Sequence, residues 1–270
     1  MWSALGEDER PNRGMPSCRP EIRILANAEE LARAAAEEFV NLAREAIRAK
    51  EFFTVALSGG STPRGLYSLV AGDASLRAQL RWGKIHLFWG DERHVPPEHP
   101  DSNYRMAKDA MLSKVRVPPA NVHRIRSENP DAGQAAGEYE ETLRTFFRPK
   151  IGEMPRFDLI LLGMGPDGHT ASLFPGTQGL HEQKRMVMAN WVERLKDYRI
   201  TMTLPLLNHA ACVFFLVSGE EKAETLRAVL ENEPGREPLP AQLIRPVNGR
   251  FLWFVDQAAA RFLKTGSSPN

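Results

Sequence analysis

Residues 157–176 read Phe-Asp-Leu-Ile-Leu-Leu-Gly-Met-Gly-Pro-Asp-Gly-His-Thr-Ala-Ser-Leu-Phe-Pro-Gly, with an Asp and a His close behind an apolar run and glycines. Such a run reads as a buried strand, and ligands of open α/β sheets bind at the carboxyl ends of strands. Asp167 and His169 have no packing reason to follow it. A neutral imidazole placed there can take a proton from water near neutral pH. The plainer alternative is an ordered loop histidine bonded to backbone.

A second strand end carries a different chemistry. Leu57-Ser58-Gly59-Gly60-Ser61-Thr62-Pro63 joins an apolar run to a helix start. The glycines allow a tight turn, and Pro63 suits the first helical position. Unpaired amides and a helix N-terminus at one spot favour a phosphate, with the Ser58, Ser61 and Thr62 hydroxyls as extra donors. A compact turn closed by a Ser or Thr cap reads equally well. At a third strand end, Trp89-Gly90-Asp91-Glu92-Arg93-His94 sets three charges side by side. They either position a substrate or brace the loops as an ion-pair network.

Two cations complete the candidates. Arg199 opens an apolar strand, and Lys222 follows Val217-Ser218-Gly219 in the first turn of a helix. A helical lysine of this kind is ordinarily just solvated. Here it follows a strand end, where it can meet a phosphate held by residues 58–62.

Gly163-x-Gly165-x-x-Gly168 imitates a dinucleotide fingerprint. Pro166 and Asp167 fill the turn, and an Asp beside a pyrophosphate repels it. Pro175 interrupts a long helix, and no βαβ unit closing on an acidic residue follows. NAD binding is therefore not expected. No zinc-ligand spacing occurs among the histidines and carboxylates, and the two thiols, Cys18 and Cys212, are far apart. Neither a metal nor another cofactor is expected.

The elements that must position these residues alternate. Strands are predicted over Glu21–Ala26, Phe52–Leu57, Lys84–Trp89, Phe157–Leu162, Ile200–Leu204, Cys212–Val217 and Phe251–Val255. Helices are predicted over Ala28–Lys50, from Pro63 to about Val70, and over Ser102–Lys114, Ala132–Arg148 and Glu220–Leu230. In the first helix, Leu31, Ala35, Val40, Leu42 and Ile47 form an apolar stripe. Alternating strands and helices with unbroken apolar strands predict an α/β, Rossmann-like fold, a mostly parallel sheet covered on both faces by helices. No repeat or linker divides residues 21–264, so a single domain is expected, flanked by a disordered tail at 1–20 and a short one at 265–270.

The chain has 270 residues, 42% of them hydrophobic, ample for a sizeable core. Its formal net charge of +1 gives no general attraction to nucleic acid or anionic membrane. Two distant cysteines suit a reducing compartment, and the longest apolar run, Ala210–Val217, is far too short to span a membrane. The N-terminal residues lack the apolar core of a signal peptide. A cytoplasmic monomer with no nucleic-acid or membrane partner is expected.

Taken together, the motifs resemble the 6-phosphogluconolactonases. The match runs through residues 57–64, 89–96, Asp-Ser-Asn-Tyr at 101–104, 163–176, Arg-Ile-Thr-Met-Thr-Leu-Pro-Leu-Leu-Asn at 199–208, Ser-Gly-Glu-Glu-Lys-Ala at 218–223 and Leu-Trp-Phe-Val-Asp-Gln-Ala-Ala-Ala at 252–260. It covers roughly 21–264 in order. The fold is shared with glucosamine-6-phosphate deaminases and ribose-5-phosphate isomerases. Deaminases carry a carboxylate five residues after the motif histidine, where this chain has Phe174, and usually Glu-Tyr where Asp91 is here followed by Glu-Arg. The lactonase side of the family is favoured over a deaminase or isomerase. A non-catalytic sugar-phosphate sensor would need a helix-turn-helix segment, which residues 1–20 are too short to supply.

The resemblance implies hydrolysis of 6-phospho-D-glucono-1,5-lactone to 6-phospho-D-gluconate in the oxidative pentose phosphate pathway. His169 is then the general base. Asp167 orients its ring or binds substrate hydroxyls, and Arg93 assists or braces the loop. Amides of the turn from Gly165 through Gly168 to His169 are expected to face the oxyanion. Phosphate anchoring falls to Ser58, Gly59, Gly60, Ser61, Thr62, Arg64, Arg199 and Lys222, with Asp91 near the substrate.

Overall fold

A computed structural model of the protein describes residues 20–231 and 237–264. The tail expected at 1–20, save its last residue, the tail at 265–270 and Cys18 lie outside the described residues. The strands are β1 (Glu21–Leu25), β2 (Phe53–Leu57), β3 (Ile85–Trp89), β4 (Asp91–Arg93), β5 (Val122–His123), β6 (Leu159–Gly163), β7 (Val187–Val192), β8 (Asp197–Met202), β9 (Cys212–Val217) and β10 (Arg250–Asp256). The α-helices are α1 (Ala28–Lys50), α2 (Ser61–Gly72), α3 (Ala74–Gln79), α4 (Asn103–Ala110), α5 (Ala132–Phe147), α6 (Leu204–Asn208), α7 (Ala223–Glu231) and α8 (Gln257–Ala260).

The main sheet runs β1-β10-β9-β6-β2-β3-β5, and every neighbouring pair is parallel. Every residue of β2 and β9 is buried, because both faces of the sheet are covered. Each large apolar side chain so enclosed contributes about 1.5–3 kcal/mol. Helix α1 starts where the Asn27 side chain accepts from the Glu29 and Glu30 amides at 3.0 and 2.9 Å, and it ends at Glu51 in the left-handed region. Its buried stripe, including Leu31, Ala35, Phe39, Val40 and Ile47, packs α1 on α2, β2 and β10.

From β2 the chain proceeds to β3 and β5 on one side, whereas from β6 it proceeds to β9 and β10 on the other. The crevice beyond the carboxyl ends of β2 and β6 is therefore the topological switch point, where open α/β sheets hold ligands. Two buried tyrosines fix the strand ends beside it. The Tyr67 hydroxyl of α2 accepts from Ser58 N–H and donates to Ser58 O, both at 2.9 Å. The Tyr139 hydroxyl of α5 does the same for Trp89, at 2.8 and 3.0 Å.

The strand predicted at 200–204 is shifted and belongs elsewhere. Residues 197–202 form the middle strand of a second, antiparallel sheet, β4-β8-β7. Thr203 is the extended residue just before α6, and Pro205 sits in the first turn, where its missing N–H costs nothing. Strand β7 has no counterpart in the sequence reading, because its burial does not alternate cleanly along the strand. The helix predicted from Glu220 starts instead with a 3₁₀ turn over Glu220–Lys222. The segment 102–114 divides into α4 and a 3₁₀ turn at Leu112–Lys114. Buried residues of both sheets belong to one contiguous core.

Candidate active site

At the switch point lies a cavity of about 210 Å³, lined on one side by Ser58–Pro63 and Lys222 and on the other by Gly163–Gly165, His169 and Ala171. Asp91, Arg93 and Asn103 form a third wall. Residues far apart in the chain thus converge because β2, β4, β6 and β9 all end here.

At the β2 end, Gly60 precedes α2 with φ of +103°, a conformation that a side chain would strain. No side chain caps this helix start, so the reading of the segment as a Ser- or Thr-capped turn does not apply. The first-turn amides and the positive end of a twelve-residue helix lie at the cavity with no side-chain cap on them. Ser58 contributes less than expected, since its amide is committed to Tyr67 and its hydroxyl donates to Gly59 O at 3.0 Å. Lys222 follows the Ser218–Gly219 turn, which Asp256 holds by accepting from Ser218 Oγ at 2.5 Å and from Gly219 N–H at 3.2 Å. Burial pushes the Lys222 ammonium below the ordinary lysine value, with Glu221 and Asp256 pulling the other way.

At the β6 end, His169 Nδ1 bonds to Asp167 Oδ1, and Asp167 Oδ2 pairs with Arg194 at 2.6 Å. Partial burial disfavours the charged Asp167. The His169 hydrogen bond and charge, together with Arg194, outweigh it and hold the carboxyl down at about 2. An anionic Asp167 fixes the tautomer with the proton on Nδ1, which leaves Nε2 as the basic nitrogen. The ring of Phe174 stacks on the imidazole, 4.3 Å between centroids and 26° between planes. Gly165 makes room for the dyad: a Cβ there would lie 2.1 Å from His169 Cε1 and Nδ1. Ala171 follows in the left-handed region at φ +47°, the kind of local strain that clusters at functional sites.

The Asp91-Glu92-Arg93 cluster braces the third wall. Glu92 is buried and accepts from Asn103 N–H (2.7 Å), Tyr104 N–H (2.8 Å), Arg93 N–H (2.9 Å) and Ser102 Oγ (3.1 Å), tying β4 to the start of α4. Burial pushes it up to about 7 against those amides. Asp91 Oδ2 accepts from Ser172 Oγ at 2.6 Å, and Asn103 Nδ2 donates to Asp91 O at 3.0 Å. The Arg93 guanidinium reaches Asp101 O at 2.8 Å and lines the cavity.

Several sequence-predicted roles require correction. Turn amides expected at an oxyanion are used internally: Gly165 N–H donates to His169 O (2.9 Å), Gly168 N–H to Gly165 O (3.0 Å) and His169 N–H to Asp167 Oδ1 (3.2 Å). Pro166 has none. Gly168, at φ +76°, packs toward Leu239 and does not line the cavity. Arg199 lies opposite Arg93 across the small sheet, pairs with Asp197 at 2.6 Å and stands outside the cavity lining. Arg64 is exposed on α2, also outside it. Asn103 and Arg194 were not singled out from the sequence. Asn103 lay within the Asp-Ser-Asn-Tyr motif, whereas no pattern marks Arg194 in its exposed 3₁₀ turn. Among the described residues, no group of three or more His, Cys, Asp or Glu side chains is arranged to hold a metal ion, and no helix is long and apolar enough to cross a membrane.

Fold and site together define an α/β protein whose switch-point cavity sets an uncapped helix start beside a carboxylate–histidine pair. The chain belongs to the family of glucosamine-6-phosphate isomerases and 6-phosphogluconolactonases, which matches residues 26–253. A relative named 6-phosphogluconolactonase, from Synechocystis sp., is 42% identical over 245 residues, covering 91% of this chain and 99% of the relative. The solved structure of 6-phosphogluconolactonase from Trypanosoma cruzi is 30% identical with a TM-score of 0.80, over 93% of this chain and 99% of that one. A monomeric glucosamine-6-phosphate deaminase superposes with a TM-score of 0.74 over 89% of this chain and 99% of that one, at 21% identity, a likeness of fold alone.

Proposed function

We propose that the chain hydrolyses 6-phospho-D-glucono-1,5-lactone to 6-phospho-D-gluconate, as the name of the family's lactonases describes. The observation that carries this reading is the cavity itself: an uncapped helix start, a half-buried lysine and a carboxylate-bound imidazole line one space of about 210 Å³. That is room for a single phosphorylated sugar, gripped at one end and reacting at the other.

His169 Nε2 takes a proton from water as the water oxygen adds to the lactone carbonyl carbon. The resulting tetrahedral oxyanion collapses by breaking the bond to the ring oxygen, which receives the proton back from Nε2. Asp167 stays ionised throughout and keeps the imidazole in the productive tautomer. Arg93, a cavity-lining cation, takes the oxyanion-stabilising part that the internally bonded turn amides cannot. The Ser61 and Thr62 amides and Lys222 hold the phosphate, which places the carbonyl over His169. Phe174 occupies the position of the deaminase carboxylate and offers the imidazole only an apolar face.

The cavity is complete within one chain, which supports a monomer. We read residues 21–264 as one catalytic domain that works in the cytoplasm. The test is acid release from freshly prepared lactone against the spontaneous background. His169→Ala should lower turnover by about 10²–10⁴-fold while 6-phosphogluconate still binds. Ammonia release from glucosamine 6-phosphate, or unchanged turnover in the variant, would overturn the reading.

A further inference from the structure

Behind the dyad, on the side away from the phosphate cradle, lies a second and larger cavity of about 970 Å³. Asp167, Phe174 and Arg194 all line it, so these three side chains form part of the wall between it and His169. The wall closes on itself through four contacts. Asp167 Oδ1 bonds to His169 and Oδ2 pairs with Arg194 at 2.6 Å. Phe174 stacks on the imidazole at 4.3 Å, and the Arg194 guanidinium carbon lies 4.9 Å from the centre of that same phenyl ring.

We propose that Arg194 is a positioning residue for the general base, holding Asp167 at the Nδ1 edge of the His169 ring and Phe174 over one of its faces from outside the substrate cavity. This rests on the reading of His169 as base. One guanidinium does two jobs here. Its charge pairs with the outer oxygen of Asp167, which fixes the carboxylate plane and leaves the inner oxygen for Nδ1. Its guanidinium carbon lies over Phe174, whose aromatic ring partner is the imidazole, and so limits how far the ring can tilt. A lysine supplies the charge without the planar fork. The positive charge also offsets the negative charge of the carboxylate beside the imidazole.

The side chain of Arg194 is 54% exposed, so it has no core role that would account for these contacts. It comes from the 3₁₀ turn Glu193–Leu195 between β7 and β8. Its neighbour Glu193 lines the same cavity but is committed elsewhere, accepting from Trp191 Nε1 at 2.8 Å and pairing with Lys196. The remaining charged groups around His169 are Asp91 and Arg93 from β4 and Lys222 after β9, none of which touches Arg194.

The experiment compares Arg194→Gln, Arg194→Lys, Phe174→Leu and His169→Ala in the full chain, by pH-stat lactone hydrolysis and thermal unfolding. Arg194→Gln should lower kcat about tenfold with KM within about twofold of the parent, a split that marks loss of alignment and not of binding. It should also move the acid limb of the kcat/KM profile to higher pH by about half a unit, the scale of an exposed charge acting on its neighbour. Arg194→Lys should restore the limb while recovering only part of kcat, and Phe174→Leu should lower kcat without moving the limb. Parental kcat and limb in Arg194→Gln, with His169→Ala inactive, overturn the proposal and leave the base reading standing. So does a loss confined to KM or to thermal stability. An active His169→Ala overturns both.

Discussion

Ser172 Oγ donates to Asp91 Oδ2 at 2.6 Å, joining the loop that carries His169 to the start of β4 across 81 positions of sequence. Both side chains are buried, and the Ser172 amide is itself bonded to Thr201 Oγ1 on β8 at 3.2 Å. The base loop is thus pinned to the small sheet by side chains as well as by its own turn. Ser172→Ala leaves the Asp91 carboxylate with the long 3.3 Å contact to Asn103 Nδ2 as its remaining side-chain partner. A buried anion that loses a donor costs about 1–3 kcal/mol. Thermal unfolding should show this as a drop of several degrees; an unchanged midpoint would mean the bond contributes nothing.

Gly165 tests the geometry of the dyad without touching its chemistry. Because a Cβ there would lie 2.1 Å from two imidazole atoms and 2.8 Å from Asp167 Oδ1, Gly165→Ala must displace the ring or the carboxylate. The phosphate cradle on β2 and α2 is untouched. We expect turnover to fall by roughly 10²-fold with little change in 6-phosphogluconate affinity, since a displacement on the ångström scale is enough for such a loss. Parental kcat would show that the His169 position has slack.

How much of this was legible without coordinates depends on the kind of signal. The strand ends carrying Ser58, Asp91, His169 and Lys222 were legible because each follows an apolar run, and parallel strands deliver their carboxyl ends to one edge. The free or committed state of an amide was not legible. Glycines at 163, 165 and 168 announce a turn, but only the fold decides that its N–H groups bond within it. Arg199 misled for a related reason: its motif matched, yet it sits on the middle strand of a small antiparallel sheet whose partner, β7, carries no clean two-residue period. Arg194 left no trace, since one arginine in an exposed turn looks like any other until Asp167 is found beside it.

The lowered Lys222 makes a prediction about pH. Deprotonation removes the cation, and burial brings that event below the ordinary lysine range. Affinity for 6-phosphogluconate should therefore weaken as pH rises, beginning earlier than free lysine would dictate. Lys222→Ala should weaken binding throughout, with KM raised and kcat little changed, and should erase the alkaline trend. Isothermal titration with the stable product avoids the lability of the lactone. An alkaline trend that survives in the variant would assign it to another group.

Asp167 links the base to stability at the acid end. Its folded value of about 2 lies below the ordinary 3.8, so folded and unfolded chains hold nearly the same charge there only above about pH 5. As pH falls from 3.8 towards 2, the unfolded chain takes up a proton that the folded chain refuses, and the contribution of this carboxylate drains away. Below that window it is gone. Asp167→Asn has no such proton to bind, so the stability gap between parent and variant should be widest near neutrality and narrow on acidification through that window. Urea unfolding at a series of pH values reads the gap directly. A gap that stays constant down to pH 2 would mean that His169 and Arg194 do not hold the carboxyl in its charged form, and the tautomer assigned to the imidazole would lose its physical basis.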